Sequence, residues 1–503
     1  MSKNRTQKLE VQLDSSSLNL PLAPISNASP VISTAASKSG AWITDYAWIS
    51  GLAGAITVLL CAWWFNETQM LEKGLFIFGY QLTGERRDTL LAALCIIAGV
   101  MLLCEFLRLW LWEGKDFFRL DPDLAQKRYS HFLGNALINY FLNLGLLYFV
   151  ILFFHSAGEY GYISNNSYYQ PWFRFLEMAW YIYGPGLLSD GQGLGLFLGV
   201  PYVILTRALK YDPDADRRDM SILPAKVLGW AASQLLSVKS LRPTFGDYDK
   251  KAARALLVKV FFGPLMTVFF CDQFPHLVSN VGYVFGWVGE ALANGSYTHN
   301  QFNNDFFNIS IALIFSIDVG LAWCGYVTSS RWVGNQTASA EPTMLGWIVC
   351  VICYPPFQMF LGLYYAAPGE REVLQFENQW LITLFTAMMV TSYIVYMSAT
   401  LWFGARFSNL TNRGIIRKGP FAIVRHPAYA SKNFSWWIVM FPAIVWNATH
   451  TGLEVALMQT MGLVLMTWMY YMRAMTEERH LSLDPAYLDY CKQVRYRFIP
   501  GVI

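Results

Sequence analysis

Apolar residues in this chain come in long blocks, not in the stripes of a soluble helix or the alternation of a half-buried strand. A membrane-crossing helix needs about 20 mostly apolar residues. Ten blocks qualify, at about 47–65, 89–112, 132–155, 188–208, 255–272, 306–328, 343–366, 379–403, 433–449 and 453–475. Two more, 172–187 and 277–292, are apolar but broken or glycine-rich, and read as re-entrant or interfacial segments. The pattern predicts an all-α fold, a polytopic transmembrane helical bundle of about ten spans.

The polar positions between the blocks orient it. Lys and Arg collect on the cytosolic side of membrane proteins. Segment 207–254 holds ten of them, 404–432 holds six, and the stretch after 475 holds four, whereas 156–171 and 272–305 hold none. This alternation predicts an even number of spans with both termini in the cytosol. One loop dissents: 66–88 carries Lys73, Arg86 and Arg87 on the expected outer side, balanced by four acidic residues.

Composition sharpens the class. Hydrophobic residues are 54% of the 503 and charged residues only 14%, against about 25% charged in a typical soluble domain. That excludes a disordered chain and argues against a soluble enzyme. A net charge of +3 is too small to imply a nucleic-acid partner. Residues 1–42 are rich in Ser, Pro and Asn, have no early apolar run, and read as a disordered polar tail rather than a secretory signal. The eight cysteines lie mostly in or beside apolar blocks, and Cys350-x-x-Cys353 has no second pair or flanking histidine, so neither disulfides nor a metal site is expected. Residues 43–300 read as a membrane domain without recognisable chemistry, and 306–503 as the part that carries the motifs.

Ionisable residues within spans are functional candidates. Glu105 has Arg108 three residues on, which makes a helical ion pair an adequate reading. Asp318 has no local partner, and either lines a cavity or hydrogen-bonds a neighbouring helix. Lys259 is close enough to a span end to snorkel. Gly191, Gly193 and Gly195 form G-x-G-x-G without the spacing of a dinucleotide fingerprint, and there is no phosphate-binding loop or zinc-protease motif.

The informative stretch is 404–432. Gly414, Gly419, Pro420 and Pro427 prevent one straight helix, so a structured loop at the membrane surface is expected. Arg425-His426-Pro427-x-Tyr429 gathers a cation, an imidazole and a phenol within five residues. A lipid-headgroup loop and a catalytic site are both open readings of it. A second cluster, Thr476-Glu477-Glu478-Arg479-His480, closes the last span, with Arg473 and Glu477 spaced to pair at i,i+4. The tail then runs through Tyr487, Tyr490 and Arg495 to Arg497-Phe498-Ile499-Pro500, short, aromatic and basic, suited to fold over a cytosolic mouth.

R-H-P-x-Y, one helical hairpin, E-E-x-x-L, then P-x-Y-x-x-Y and R-F-I-P: this order resembles the isoprenylcysteine carboxyl methyltransferase family of membrane enzymes, whose relatives methylate phospholipid amines. The resemblance covers roughly 343–503. It implies S-adenosylmethionine as cofactor, in a cytosolic pocket without a Rossmann fold, and a lipid or hydrophobic acceptor entering sideways from the bilayer. It implies that Gly419, His426, Pro427, Tyr429 and Glu477 or Glu478 bind the cofactor, under a lid of Tyr487, Tyr490 and Arg495. Chemistry suggests Glu478, then Glu477, for the cofactor's α-amino group, and Arg425 for an acceptor carboxylate. Many members have glycine two residues after the tyrosine, where this chain has Ser431, followed by Lys432. A bacterial inner membrane or an endomembrane fits equally. Two other classes remain: an NADPH-dependent sterol- or enone-type reductase, whose 2′-phosphate would use Arg479, Lys492, Arg495 and Arg497, and a non-catalytic transporter or lipid-binding scaffold.

Overall fold

The computed structural model describes residues 42–77, 79–81, 83–114, 118, 129–156, 170–183, 198–209, 223–237, 243–355, 357–358, 362 and 377–502. The expected polar tail up to residue 41, the glycine motif at 191–195 and most of the 343–366 block beyond 355 lie outside them.

Helices dominate the described residues. In chain order they are α1 (Trp48–Thr68), α2 (Arg86–Leu107, prolonged by a wider turn over Arg108–Trp112), α3 (Tyr129–Ser156), α4 (Gln170–Tyr183), α5 (Gly199–Ala208), α6 (Leu223–Leu235), α7 (Asp247–Tyr283), α8 (His299–Val327), α9 (Met344–Val351), α10 (Gln379–Phe403), α11 (Pro427–His450), α12 (Leu453–Leu481) and α13 (Pro485–Gln493). Among the described residues, six helices are long and apolar enough to cross a membrane: α1, α2, α7, α8, α10 and α12. The expected span at 188–208 is helical from Gly199 within the described part, and that at 343–366 over Met344–Val351.

One expectation is overturned. The 277–292 stretch is not re-entrant: α7 continues through it as an unbroken 47-residue run from Asp247 to Ala293. At 1.5 Å per residue this is about 70 Å, more than twice the hydrocarbon thickness. Pro264 and Pro275 sit inside it. Membrane helices tolerate such prolines because neighbouring groups and local adjustments re-satisfy the freed carbonyls.

The helices share one core. Val58 of α1, Met101 of α2, Phe262 and Phe270 of α7 and Leu321 of α8 are buried together, and the cluster reaches Ala405 beyond α10. Residues 300–306 are therefore no packing seam. Small residues allow the closest approaches: a Cβ at Gly51 of α1 would lie 2.0 Å from the Leu401 carbonyl oxygen of α10.

Long-range contacts sort the helix ends into two faces. At one face, Asp45 before α1 binds Arg417 through two bonds of 2.7 and 2.8 Å. Thr44 donates to the Ile415 carbonyl at 2.6 Å. Glu105 at the end of α2 pairs with Arg108 and with Arg406 just after α10, all three fully or almost fully buried. The C-terminal carbonyls of α8 are capped by cations from elsewhere: Lys259 donates to Tyr326 at 2.8 Å, and Arg413 to Gly325. At the other face, His299 binds Thr383 at 2.8 Å and Asn303 donates to the Gln379 carbonyl at 2.9 Å. The basic residues of 404–432 and those after 475 thus share a face, and Lys73, Arg86 and Arg87 lie on the opposite one. On the basic face a two-residue antiparallel pairing, β3 (Ser339–Ala340) with β4 (Thr411–Asn412), clips the segment after α8 to the loop after α10; β1 (Phe76–Ile77) and β2 (Tyr80–Gln81) form a similar clip at the other end.

Candidate functional site

The loop leaving α10 is shaped by residues that permit no other path. Gly419 has φ +62°, and a Cβ there would stand 2.1 Å from the Trp402 ring, so glycine is required for the fit rather than for cofactor approach. A tight turn over Gly419–Ala422 follows. His426 precedes a proline and stays out of the helical region at φ −126°, and Pro427 opens α11 at its first position. The backbone N–H groups of Arg425 and His426 donate to the Tyr496 and Arg497 carbonyls, each at 2.9 Å. The tail thereby straps the R-H-P segment.

The two adjacent glutamates of α12 have different jobs. Glu478 is buried in a cluster of three cationic or imidazole groups: Arg425 at 3.2 Å, His426 Nε2 at 3.2 Å and Arg497 at 3.1 Å. It lines none of the three cavities described below. Glu477, one residue earlier, faces the cavity and accepts from the Tyr429 hydroxyl at 2.6 Å; its other oxygen has no partner among the described residues. Glu478, the first choice for a cofactor's amino group, is thus engaged in holding the loop, while Glu477, the second choice, faces the cavity. Arg425, expected to meet an acceptor carboxylate, has its terminal nitrogens directed to Glu478, the Cys491 sulfur and the Arg495 carbonyl. It reaches the pocket wall as a strut.

The cation that does face the cavity was expected to pair locally. Arg473 makes no ion pair with Glu477. Its guanidinium donates to Asn409 at 2.7 Å and to the Tyr354 hydroxyl at 3.2 Å, and lies 4.8 Å from the Tyr429 ring centroid. No carboxylate stands within salt-bridge distance of it among the described residues. Lys432 is a second such cation, surrounded by the rings of Tyr354, Tyr396, Trp436 and Tyr470. Asp318 finds its partners across helices: Tyr396 donates to it at 2.9 Å and Thr400 at 2.5 Å. It is a buried structural acceptor behind the cavity wall.

Three spaces meet here. A polar pocket of about 830 Å³, counted out to its mouth, is lined by Glu341, Asn412, His426, Glu477 and Tyr487 among others. A middle chamber of about 630 Å³ holds Tyr354, Lys432 and Arg473. An apolar cleft of about 1960 Å³ opens between α10, α11 and α12, walled by Met388, Val395, Ile423, Phe434 and Phe498. Tyr429 borders all three. Its ring stacks on His426 at 5.5 Å and 5°.

Of the three residues expected to form a lid, two line the polar pocket. Tyr487 and Tyr490 of α13 are buried at 3% and 2% exposure and line the polar pocket. Burial pushes both phenols far above their ordinary range, and the nearby glutamates add to this, so both keep their protons. Tyr490 donates to the Phe421 carbonyl at 2.7 Å. The Tyr487 hydroxyl is buried without a hydrogen-bond partner among the described residues. Arg495 is exposed and contributes its backbone carbonyl, not its side chain. Pro427 lines the cleft and the middle chamber. Among the described residues no group of three His, Cys, Asp or Glu side chains is placed to hold a metal.

Compared with protein-family models, with curated proteins and with solved structures, the chain has no significant match to any.

Proposed function

We propose that this chain is an integral membrane methyltransferase that takes a methyl group from S-adenosylmethionine and passes it to a lipid-like acceptor, a carboxylate or an amine, at the cytosolic face. One observation carries the reading. A polar pocket under the basic loop and an open apolar cleft between three helices converge on Tyr429. A water-soluble cofactor and a hydrophobic acceptor could therefore reach one point from two solvents. The cytosolic assignment rests on the concentration of Lys and Arg at this end.

The residues present suit this cofactor. Glu477 offers a carboxylate to an α-amino group, with one oxygen already oriented by Tyr429. The unpaired Tyr487 hydroxyl offers a donor for a polar group, and Ile415 and Phe421 offer apolar wall. When bound, S-adenosylmethionine supplies a methyl group on a positively charged sulfur. An ionised carboxylate or neutral amine needs no general base against it, so the protein's work is alignment and exclusion of water. Arg473, fixed by Asn409 and Tyr354, would orient the acceptor. The cluster around Glu478 keeps the loop and tail in register, and α13 covers the pocket.

The reductase reading has less support. Of its expected phosphate ligands, Arg497 is paired with Glu478, Arg479 with Glu341 and Lys492 with Asp489. Isothermal titration of the purified protein in detergent, with S-adenosylhomocysteine and NADPH in parallel, tests both. Binding of the first and not the second is expected. NADPH binding without S-adenosylhomocysteine binding would transfer the assignment to a reductase.

A further inference from the structure

Lys432 is the cation that the reading above leaves without a task. It stands on the first turns of α11, where the resembled family gives no reason for an ammonium group. Among the described residues it has no hydrogen bond and no ion pair. Four ring centroids surround its Nζ, at 6.0 Å for Tyr354, 5.6 Å for Tyr396, 5.8 Å for Trp436 and 6.0 Å for Tyr470. Cation–π attraction reaches to about 6 Å, so these rings lie at its outer limit and supply no counter-charge. Asp318 acts on it through space only, since its two oxygens already accept from Tyr396 and Thr400.

Two more groups line the same chamber in the same state of need. Arg473 has hydrogen bonds to neutral groups and no carboxylate partner. Tyr470, 1% exposed, has a buried hydroxyl that meets no oxygen or nitrogen partner among the described residues, only the weakly bonding thiol of Cys353. A buried donor left unmade costs about 1–3 kcal/mol, and a buried charge without a counter-ion costs more. Two cations and this hydroxyl face one chamber whose wall also carries Glu477, engaged with Tyr429 rather than with either cation, so an anion would satisfy the three donors together. Tyr470 also borders the apolar cleft, so that anion would sit at the head of a hydrophobic chain.

We infer that the middle chamber is an anion site in which Lys432 and Tyr470, beside Arg473, receive the acidic headgroup of an amphiphile whose chain lies in the cleft. Lys432 is then the residue that favours anionic acceptors over amines, since a bound anion brings the counter-charge that neither cation has within salt-bridge distance among the described residues. This deepens the proposed function by narrowing its acceptor, and rests on that reading for the reaction but not for the binding.

The experiment is equilibrium binding of dodecanoate, dodecyl phosphate and dodecylamine to the full-length protein in a neutral detergent, with inorganic phosphate as a chain-free arm. Both anions are expected to bind at least about ten-fold more tightly than the amine, the scale of a charge-assisted hydrogen bond. Lys432→Met is expected to lose about that factor for the anions, and Lys432→Arg to keep it. Comparable binding of amine and anions by the unmodified protein overturns the inference without recourse to any variant. So does inorganic phosphate binding as tightly as dodecyl phosphate, which would make this a free-anion site. S-adenosylhomocysteine binding, measured on the same samples, separates the two proposals. Anion selectivity without it refutes the methyltransferase and leaves the anion site standing.

Discussion

The hydroxyl of Tyr429 donates to Glu477 across 2.6 Å, from α11 to α12, at the point where the polar pocket, the middle chamber and the apolar cleft meet. This bond holds a carboxylate toward the pocket and keeps its neighbour, Glu478, turned to the loop. Exchanging the two side chains' roles would need a change of helix face, because adjacent residues on a helix point about 100° apart.

The division of labour predicts opposite outcomes for two conservative changes. Glu477→Gln should weaken S-adenosylhomocysteine binding by about ten-fold or more, the cost of a lost charged hydrogen bond, with little change in thermal stability. Glu478→Gln should lower the unfolding temperature, because it leaves Arg425 and Arg497 without their carboxylate. Titration calorimetry and thermal unfolding on the same preparations check this. Equal effects of both changes on binding would contradict it.

Arg473→Met should depress acceptor turnover by about a hundred-fold or more, as loss of an orienting cation does, while S-adenosylhomocysteine still binds. Steady-state assays against dodecanoate, read as kcat and KM separately, check it. Unaltered turnover would remove Arg473 from the site.

Arg406 and Glu105 are fully buried and join two helix ends 301 residues apart in sequence. Removing one partner of a buried pair costs about 3–5 kcal/mol. Arg406→Met alone should therefore destabilise strongly. Adding Glu105→Gln should deepen the loss, because Arg108 then forfeits its carboxylate partner as well. Tryptophan fluorescence during thermal unfolding reads both.

Asp45 gives the pH dependence. Burial alone would raise its pKa, but the bonds from Arg417 and from the Trp42 N–H outweigh that and hold it below the ordinary value. An aspartate whose folded value lies below the unfolded one, about 3.9, contributes stability fully present above that unfolded value. The contribution is lost as pH falls through the folded value. The unfolding temperature of Asp45→Asn should thus lie below that of the unmodified protein from pH 7 to 5, with the gap closing below about pH 4. A gap that widens on acidification would reverse the sign and refute the argument.

Long apolar blocks announced α1, α2, α8, α10 and α12 because a span's length is written locally. The unbroken course of α7 was not legible. Pro264, Pro275 and the glycines at 282, 286 and 289 carry the local signal of a break, and packing against neighbouring helices overrides it. The site divided in the same way. R-H-P-x-Y and the two glutamates marked the right region. Which glutamate faces the cavity depends on the rotation of α12, which a motif does not state. Arg473 escaped notice because Glu477 stood at the ideal local spacing, whereas its actual partners, Asn409 and Tyr354, are 64 and 119 residues away. Its one sequence signal was its position inside an apolar block. Lys432 lacked even that, standing just outside the 433–449 block among the basic residues of 404–432.

The strap between Arg425-His426 and Tyr496-Arg497 also has a temporal meaning. The two strands of that contact are about seventy residues apart in order of synthesis, with a complete helical hairpin between them. While α11 and α12 are inserting, the R-H-P segment has no carbonyls to accept its N–H groups, and Glu478 has lost one of its three cationic or imidazole partners. The pocket is therefore a late product of biogenesis. A chain stalled before the strap is made would already be embedded in the bilayer, yet would lack the assembled pocket.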